Sequence, residues 1–368
     1  MKNTAFIIVF SCIFFSCTEQ KNILKCHEFE AVRMDSIMTL TDLYEDFQFI
    51  PLENDSIGML SYAMKLEAVP EGFIIHDLGA KSRALMFDDK GLLVGQIGDV
   101  GRSSNEYMGA VDLSVNQNTK EVAILTMNHE VKTYDYQGTC KSTMNLSRDV
   151  IFNNLCWNGD NFVCATRHNT YGDSLLYVYD MHGNLVNKAL SPLPVDIVEA
   201  SFVANPLQAY ANKVLFIDFF RSSFTIMDME DTDKYESLKI KSDNMFTYDK
   251  KILENHMNTR DFLNSGFCND STIYGWMNYD SSLSYYTMNL YDGEAHIYPY
   301  YDWAPSSISF SDGYAYTILS PDEIYALCYP TNKSNSYTKE ILSNAFEPYK
   351  AKFSRMNNFV ILKMKPRK

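Results

Sequence analysis

Close cysteine pairs are absent from these 368 residues, and so is any clustered run of lysine and arginine. The eight cysteines form no Cys-x-x-Cys, which removes the usual spacing of a zinc site. The formal charge of −14 excludes a nucleic-acid partner, because gripping phosphates needs concentrated positive charge. The nearest approach is Lys363 to Lys368, which reads as a solvated end. No Gly-x-Ser-x-Gly elbow, His-Glu-x-x-His, phosphate-binding loop or dinucleotide glycine pattern occurs. No motif calls for a cofactor or a metal, and no catalytic residue is assigned. Nor is there an apolar run long enough to span a bilayer, which takes about 18 residues or more.

What the chain does contain is repetition. An aromatic residue, Asp, two spacers and Gly recur as Phe87-Asp88-Asp89-Lys90-Gly91, Tyr134-Asp135-Tyr136-Gln137-Gly138 and Tyr179-Asp180-Met181-His182-Gly183, beginning 47 and 45 residues apart. That is the period of a four-stranded propeller blade. The Asp side chain suits hydrogen bonding to the turn backbone, and Gly tolerates the positive φ such turns demand. A second repeat agrees: six strongly apolar segments each follow a polar turn, from Phe73-Ile74-Ile75 to Tyr314-Ala315-Tyr316-Thr317-Ile318. The first and last start 241 residues apart, a mean step of about 48 over five steps, which predicts six blades. The 25 Tyr and 23 Phe favour strands over helices.

The sixth repeat departs from the others. Ser320-Pro321-Asp322-Glu323 has the form of a helix start, and an irregular excursion runs to about Met356. The blade is left one strand short. Phe47 to Leu52 is an unclaimed strand near the other end of the chain, and pairing it with 359–364 would close the ring and remove exposed sheet edges. The fold expected is all-β, a six-bladed β-propeller over residues 40–365. Cys156 and Cys164 fall on adjacent strands of one hairpin, where a two-residue turn sets them on opposite faces.

Residues 1–17 read as a targeting segment: Lys2 is followed by a short apolar stretch, Ala5 to Phe15. Phe14-Phe15-Ser16-Cys17 has the form of a bacterial lipobox, predicting a mature N-terminus at an acylated Cys17. Acyl chains contribute ~0.8 kcal/mol per buried CH₂, so two or more would hold the protein on a membrane. Residues 18–39 then read as a polar tether.

The stretch Leu43 to Asp112 resembles the six-bladed β-propeller lipoproteins of Bacteroidetes, which are NHL-like in style. The residues that carry the likeness are Asp46 to Glu53, Phe87 to Gly91 and Gln96 to Tyr107. In the last segment Gly98, Gly101, Arg102, Glu106 and Tyr107 match the family pattern, while Ser103-Ser104-Asn105 stands where the family runs Gly-Pro-Gly. The resemblance implies a cell-envelope protein lipid-anchored to the outer membrane, and no particular reaction.

Propeller ligands usually bind where loops converge on the central channel. The loops between second and third strands, with the links between blades, offer Asp77, Lys81, Arg83, Arg102, Glu106, Tyr107, Asn128, His129, Arg167, His168, Arg221, Arg260, Asn278, Tyr279 and Trp303. Aromatic planes beside Arg, Asn and acids suit a glycan, a peptide or an envelope protein partner. The function expected is a non-catalytic binding module. The alternative is a lactonase-like lyase or hydrolase acting on a sugar-derived substrate, for which Asp218 is suitably placed but lacks evident partners.

Overall fold

The computed structural model describes residues 25–168, 172–193, 206–246, 260–269, 271–299, 305, 307–328, 337–351, 353 and 358–367. Cys17 and Trp303 lie outside them. The described chain is mostly strand. It opens with β1 (Lys25–Arg33), a single helical turn α1 (Leu40–Leu43) and β2 (Tyr44–Pro51). Antiparallel four-stranded sheets follow. The first holds β3 (Ala63–Val69), β4 (Gly72–Asp77), β5 (Arg83–Asp88) and β6 (Leu93–Gln96). The second holds β7 (Ala110–Asn116), β8 (Glu121–Thr126), β9 (Glu130–Asp135) and β10 (Cys140–Asn145). The third holds β11 (Asn154–Asn158), β12 (Asn161–Ala165), β13 (Leu176–Asp180) and β14 (Leu185–Ala189).

Two further meanders are fused. One runs β15 (Leu207–Tyr210), β16 (Lys213–Asp218), β17 (Ser223–Asp228) and β18 (Tyr235–Lys241). The other is β19 (Phe262–Leu263), β20 (Phe267–Asn269), β21 (Thr272–Tyr279), β22 (Ser282–Asn289) and β23 (Glu294–Pro299). β1 lies between their last strands, parallel to both, and makes one ten-stranded sheet. Residues 25–33 are therefore a strand and not part of a tether. Phe29 is sunk in the core beneath them while Glu28 and Glu30 stay exposed, so the segment looks polar in sequence. Parallel pairing also needs no hairpin, so no turn residues announce it.

The last sheet unites both ends of the described chain in the order β2, β26 (Val360–Pro366), β25 (Tyr314–Leu319) and β24 (Ser309–Ser311). Phe49 faces Leu362 and Ile50 faces Ile361 in an antiparallel register. Between β25 and β26, α3 (Tyr337–Lys350) covers β2 while α2 (Pro321–Cys328) packs on α3 and β25, joining Ile324, Leu342 and Phe346 to Tyr44 and Phe49 in one core. Ser320 caps α2 as its sequence suggests: its Oγ accepts from the Glu323 amide, and Glu323 Oε2 accepts from the Ser320 amide at 2.7 Å. Among the described residues no helix is long and apolar enough to cross a membrane.

The Asp-x-x-Gly turns behave as their chemistry dictates. Asp88 Oδ1 accepts from the amides of Lys90 and Leu92, Asp135 Oδ1 from Gln137 and Thr139, and Asp180 Oδ1 from His182 and Asn184. The glycines that follow sit at φ 84°, 82° and 85°. Cys156 and Cys164 are both buried, are free thiols, and belong to different core clusters on opposite faces of the third sheet.

First strands of neighbouring sheets are edges, and their open backbone groups are met by side chains from the first strand, or its turn, of an adjacent sheet. Gln117, just past β7, donates to the Ala68 carbonyl, and Ser114 Oγ accepts from the Trp157 amide. Asn158 donates to the Ala211 and Lys213 carbonyls. Gln208 pairs with both the amide and the carbonyl of Cys268, as a strand would. From the last sheet Ser309 Oγ accepts from the Ala68 amide, returning to the first. Tyr274 and Phe310, with ring centroids 6.4 Å apart, join the remaining pair. Sheets are thus stitched in a cycle about a common axis, a propeller-like arrangement.

Candidate functional site

β3, β7, β11, β15, β20 and the segment around β24 line one cavity of about 540 Å³. Its wall reaches the hairpin turns at Asn118, Gly159 and Ala211, so it lies at the end of the axis where first strands turn into second strands. Asn116, Gln208, Tyr210 and Asn269 give it amides and a phenol, while Phe267 and Phe310 add aromatic surface. The Tyr210 hydroxyl is buried and has no hydrogen-bond partner among the described residues. A polar group left in that state costs about 1–3 kcal/mol.

One wall of the cavity carries a charged knot. Lys65 Nζ donates to the Leu113 carbonyl at 2.7 Å and the Leu155 carbonyl at 3.4 Å, with Asp112 Oδ1 at 3.3 Å and Glu67 Oε1 at 3.5 Å. One ammonium therefore ties the first strands of three sheets. Burial alone would depress its pKa; the pull of Asp112 and Glu67 outweighs this and leaves it raised. Asp112 Oδ2 also accepts from the Leu155 amide at 2.8 Å. Burial pushes the neighbouring Cys156 thiol up to about 12, so it carries no thiolate at neutral pH.

None of the described loop residues singled out in the sequence lines this cavity. They belong to the opposite, loop end of the sheets, and most are committed to local structure. Asp77 is buried, accepts from the Ser61 and Tyr62 amides at 2.9 Å, and pairs with Arg83. Glu106 binds the Ser103 amide at 2.8 Å, which holds its carboxyl below the usual range, rather than clamping the Arg102 side chain. Tyr107 is buried edge-on to Tyr134, and its hydroxyl accepts from the Ala84 amide. His129 Nδ1 lies 3.1 Å from the Val150 carbonyl. Arg260 donates to Asn244, and its own carbonyl accepts from Asn278. Lys81, Arg102 and Asn128 are exposed, and Arg167 is half-buried. Tyr279 lines a second cavity of about 500 Å³, between the end of β1 and residues 241–244.

Three predicted positions do meet. His168 Nδ1 accepts from the Leu193 amide at 2.9 Å, so its Nε2 carries the proton toward Asp218 Oδ1, 3.0 Å away. Arg221 donates to Asp218 Oδ2 and to the Ser191 carbonyl. Burial works to raise the Asp218 carboxyl, but His168 and Arg221 outweigh it and hold the pKa lowered. This is a buried clasp between the third and fourth meanders, with both His168 nitrogens in use. Asp218→Asn is expected to cost about 3 kcal/mol at pH 7, as when a buried pair loses one charge. A depressed carboxyl contributes stability above its unfolded pKa and loses it as pH falls through the folded value. The gap between wild type and variant, read by urea unfolding, should therefore narrow below about pH 4. An unchanged gap would remove the ion pair as the cause.

The cavity-lining residues lie on first strands, where a polar side chain carries no loop signal. A signal was present: Lys65, Asn116, Asn158 and Gln208 are polar positions near the inner, first-strand turns.

The profile of a family described as a domain of unknown function (DUF4934) matches residues 26–352. The chain belongs to that family. The match takes in β1, in agreement with its place inside a sheet. Among solved structures, a Bacteroides fragilis protein described as exported (BF0058) is 13% identical with a TM-score of 0.67, over 94% of this chain and 100% of that one. BamB from Moraxella catarrhalis is 11% identical with a TM-score of 0.42, over 74% of this chain and 70% of its own. YCF48 bound to D1 peptide is 12% identical with a TM-score of 0.42, over 77% and 81%. No curated protein matches this DUF4934 chain.

Proposed function

We propose that the protein is a six-bladed β-propeller, carried to the cell envelope and anchored there by acylation of Cys17, that binds a glycan in its turn-end cavity without transforming it. The carrying observation is the cavity itself: first strands from six successive meanders line it, with amides, a phenol and aromatic rings. Its volume falls within the roughly 300–1,000 Å³ range of small-ligand sites. The amides of Asn116 and Asn269 on its wall are the groups that sugar hydroxyls would pair with. Binding rather than catalysis fits the charged groups present: Lys65 is tied to carbonyls and carboxylates, and Cys156 is held as a thiol. The fold neighbour described as exported accords with an envelope address.

Titration of the protein with a panel of neutral oligosaccharides, followed calorimetrically, tests this. At least one is expected to bind, and Asn269→Ala to weaken it about 5- to 10-fold, the worth of one hydrogen bond. A panel with no binder, or an Asn269→Ala variant with full affinity, sinks the reading.

A further inference from the structure

The lipid anchor and the cavity stand in a definite geometric relation. β1 runs parallel to β18, with Lys25 opposite Glu236 at the start of β18 and Glu30 opposite Lys241 at its end. β18 leaves the turn after β17, and in these meanders that turn lies at the same end as the turn between first and second strands. The chain therefore enters the sheet from the turn end, where the cavity opens. Seven residues separate Cys17 from Lys25. Even fully extended, that connection spans no more than about 28 Å at ~3.5 Å per residue.

We propose that the turn end of the propeller faces the membrane, so that the cavity mouth looks onto the bilayer surface and the loop end looks away from it. This rests on the reading of Cys17 as acylated. The turn end carries the acidic residues Asp89, Asp160, Asp180 and Asp312, while the lysines Lys120, Lys141 and Lys234 are paired with Glu71, Asp135 and Asp231. That face is repelled by anionic headgroups and stands off the bilayer, leaving a solvent gap over the mouth. The loop end presents the exposed apolar side chains Leu78, Met108 and Met127 outward.

The acylated protein, with Cys26, Cys140 and Cys328 replaced by Ser, would be reconstituted in phosphatidylcholine vesicles containing a headgroup-labelled acceptor lipid. Donor dye would be placed on Thr119→Cys or Asn128→Cys, two exposed positions at opposite ends of β8. A six-residue strand separates them axially by roughly 20 Å. Energy transfer is expected to be roughly twofold or more higher from position 119, given that offset. Equal transfer, or higher transfer from 128, overturns the orientation. Mass spectrometry of the purified protein separates the two failures: without acyl mass on Cys17 the anchor reading fails, and the orientation with it.

Discussion

Lys65→Met is expected to lower stability by about 3–5 kcal/mol, the effect of removing one partner from a buried ion pair. For a domain this large that is a fall of roughly 6–12 °C in the unfolding midpoint. The reason lies in what Lys65 leaves behind. Asp112 and the half-buried Glu67 lose their common cation, and the carbonyls of Leu113 and Leu155 lose a donor. The two carboxylates respond differently. Glu67 is already raised by burial, with Lys65 pulling the other way, so in the variant it rises further and takes up a proton. A carboxyl with a raised folded pKa contributes stability below its unfolded value and loses it as pH rises through the folded one. The deficit of Lys65→Met should thus be largest in mild alkali and shrink toward about pH 5. Asp112 keeps its backbone partners, and Asp112→Asn in the Lys65→Met background should recover part of the loss by removing the orphaned charge. Urea titrations of the three proteins between pH 5 and 9 measure all of this (about the range where such carboxyls titrate). A loss under about 1 kcal/mol, the worth of a surface pair, would mean the knot does not hold the three sheets.

Much of the scaffold was legible in the sequence because its signals are local. The Asp of each Asp-x-x-Gly turn serves its own loop, so Asp88, Asp135 and Asp180 mark hairpins without any knowledge of neighbours. Continuous apolar runs that follow polar turns place β4, β8, β12 and β16 within a residue or two. The closing strand was legible by elimination, as an apolar segment with no partner nearby, and Phe49 does face Leu362. β1 was hidden by its opposite character: one buried Phe among charged residues, held by two parallel partners more than 200 residues away. The site was the least legible part. Loop polarity drew attention to the loop end, yet Asp77, Tyr107 and His129 turned out to serve turns and packing. The amides that line the cavity sit on first strands, where a polar residue reads as a flaw in an apolar pattern until the ring is closed around it.

Removing the N-terminal closing strand should have the largest effect. A chain shortened to begin at Glu53 loses β2 and with it the buried Tyr44, Phe49 and Ile50, each worth about 1.5–3 kcal/mol of transfer free energy. It also uncovers the apolar face of α3, which packs on β2, and turns β26 into an open edge. The sum exceeds a large part of a typical domain stability of about 5–15 kcal/mol. The shortened chain is expected to aggregate or to show no cooperative unfolding. A chain begun at Leu40 keeps β2 and loses β1, so it should fold with a lowered midpoint, since Phe29 is sunk in the core while His27, Glu28 and Glu30 are exposed. The ordering of the two is the decisive reading. Size-exclusion chromatography and thermal melts of both chains supply it, and adding a peptide of residues 40–52 to the shorter one should restore a cooperative transition. If the chain from Glu53 were a monomer melting near wild type, the sheet built from both ends would not be what closes the ring.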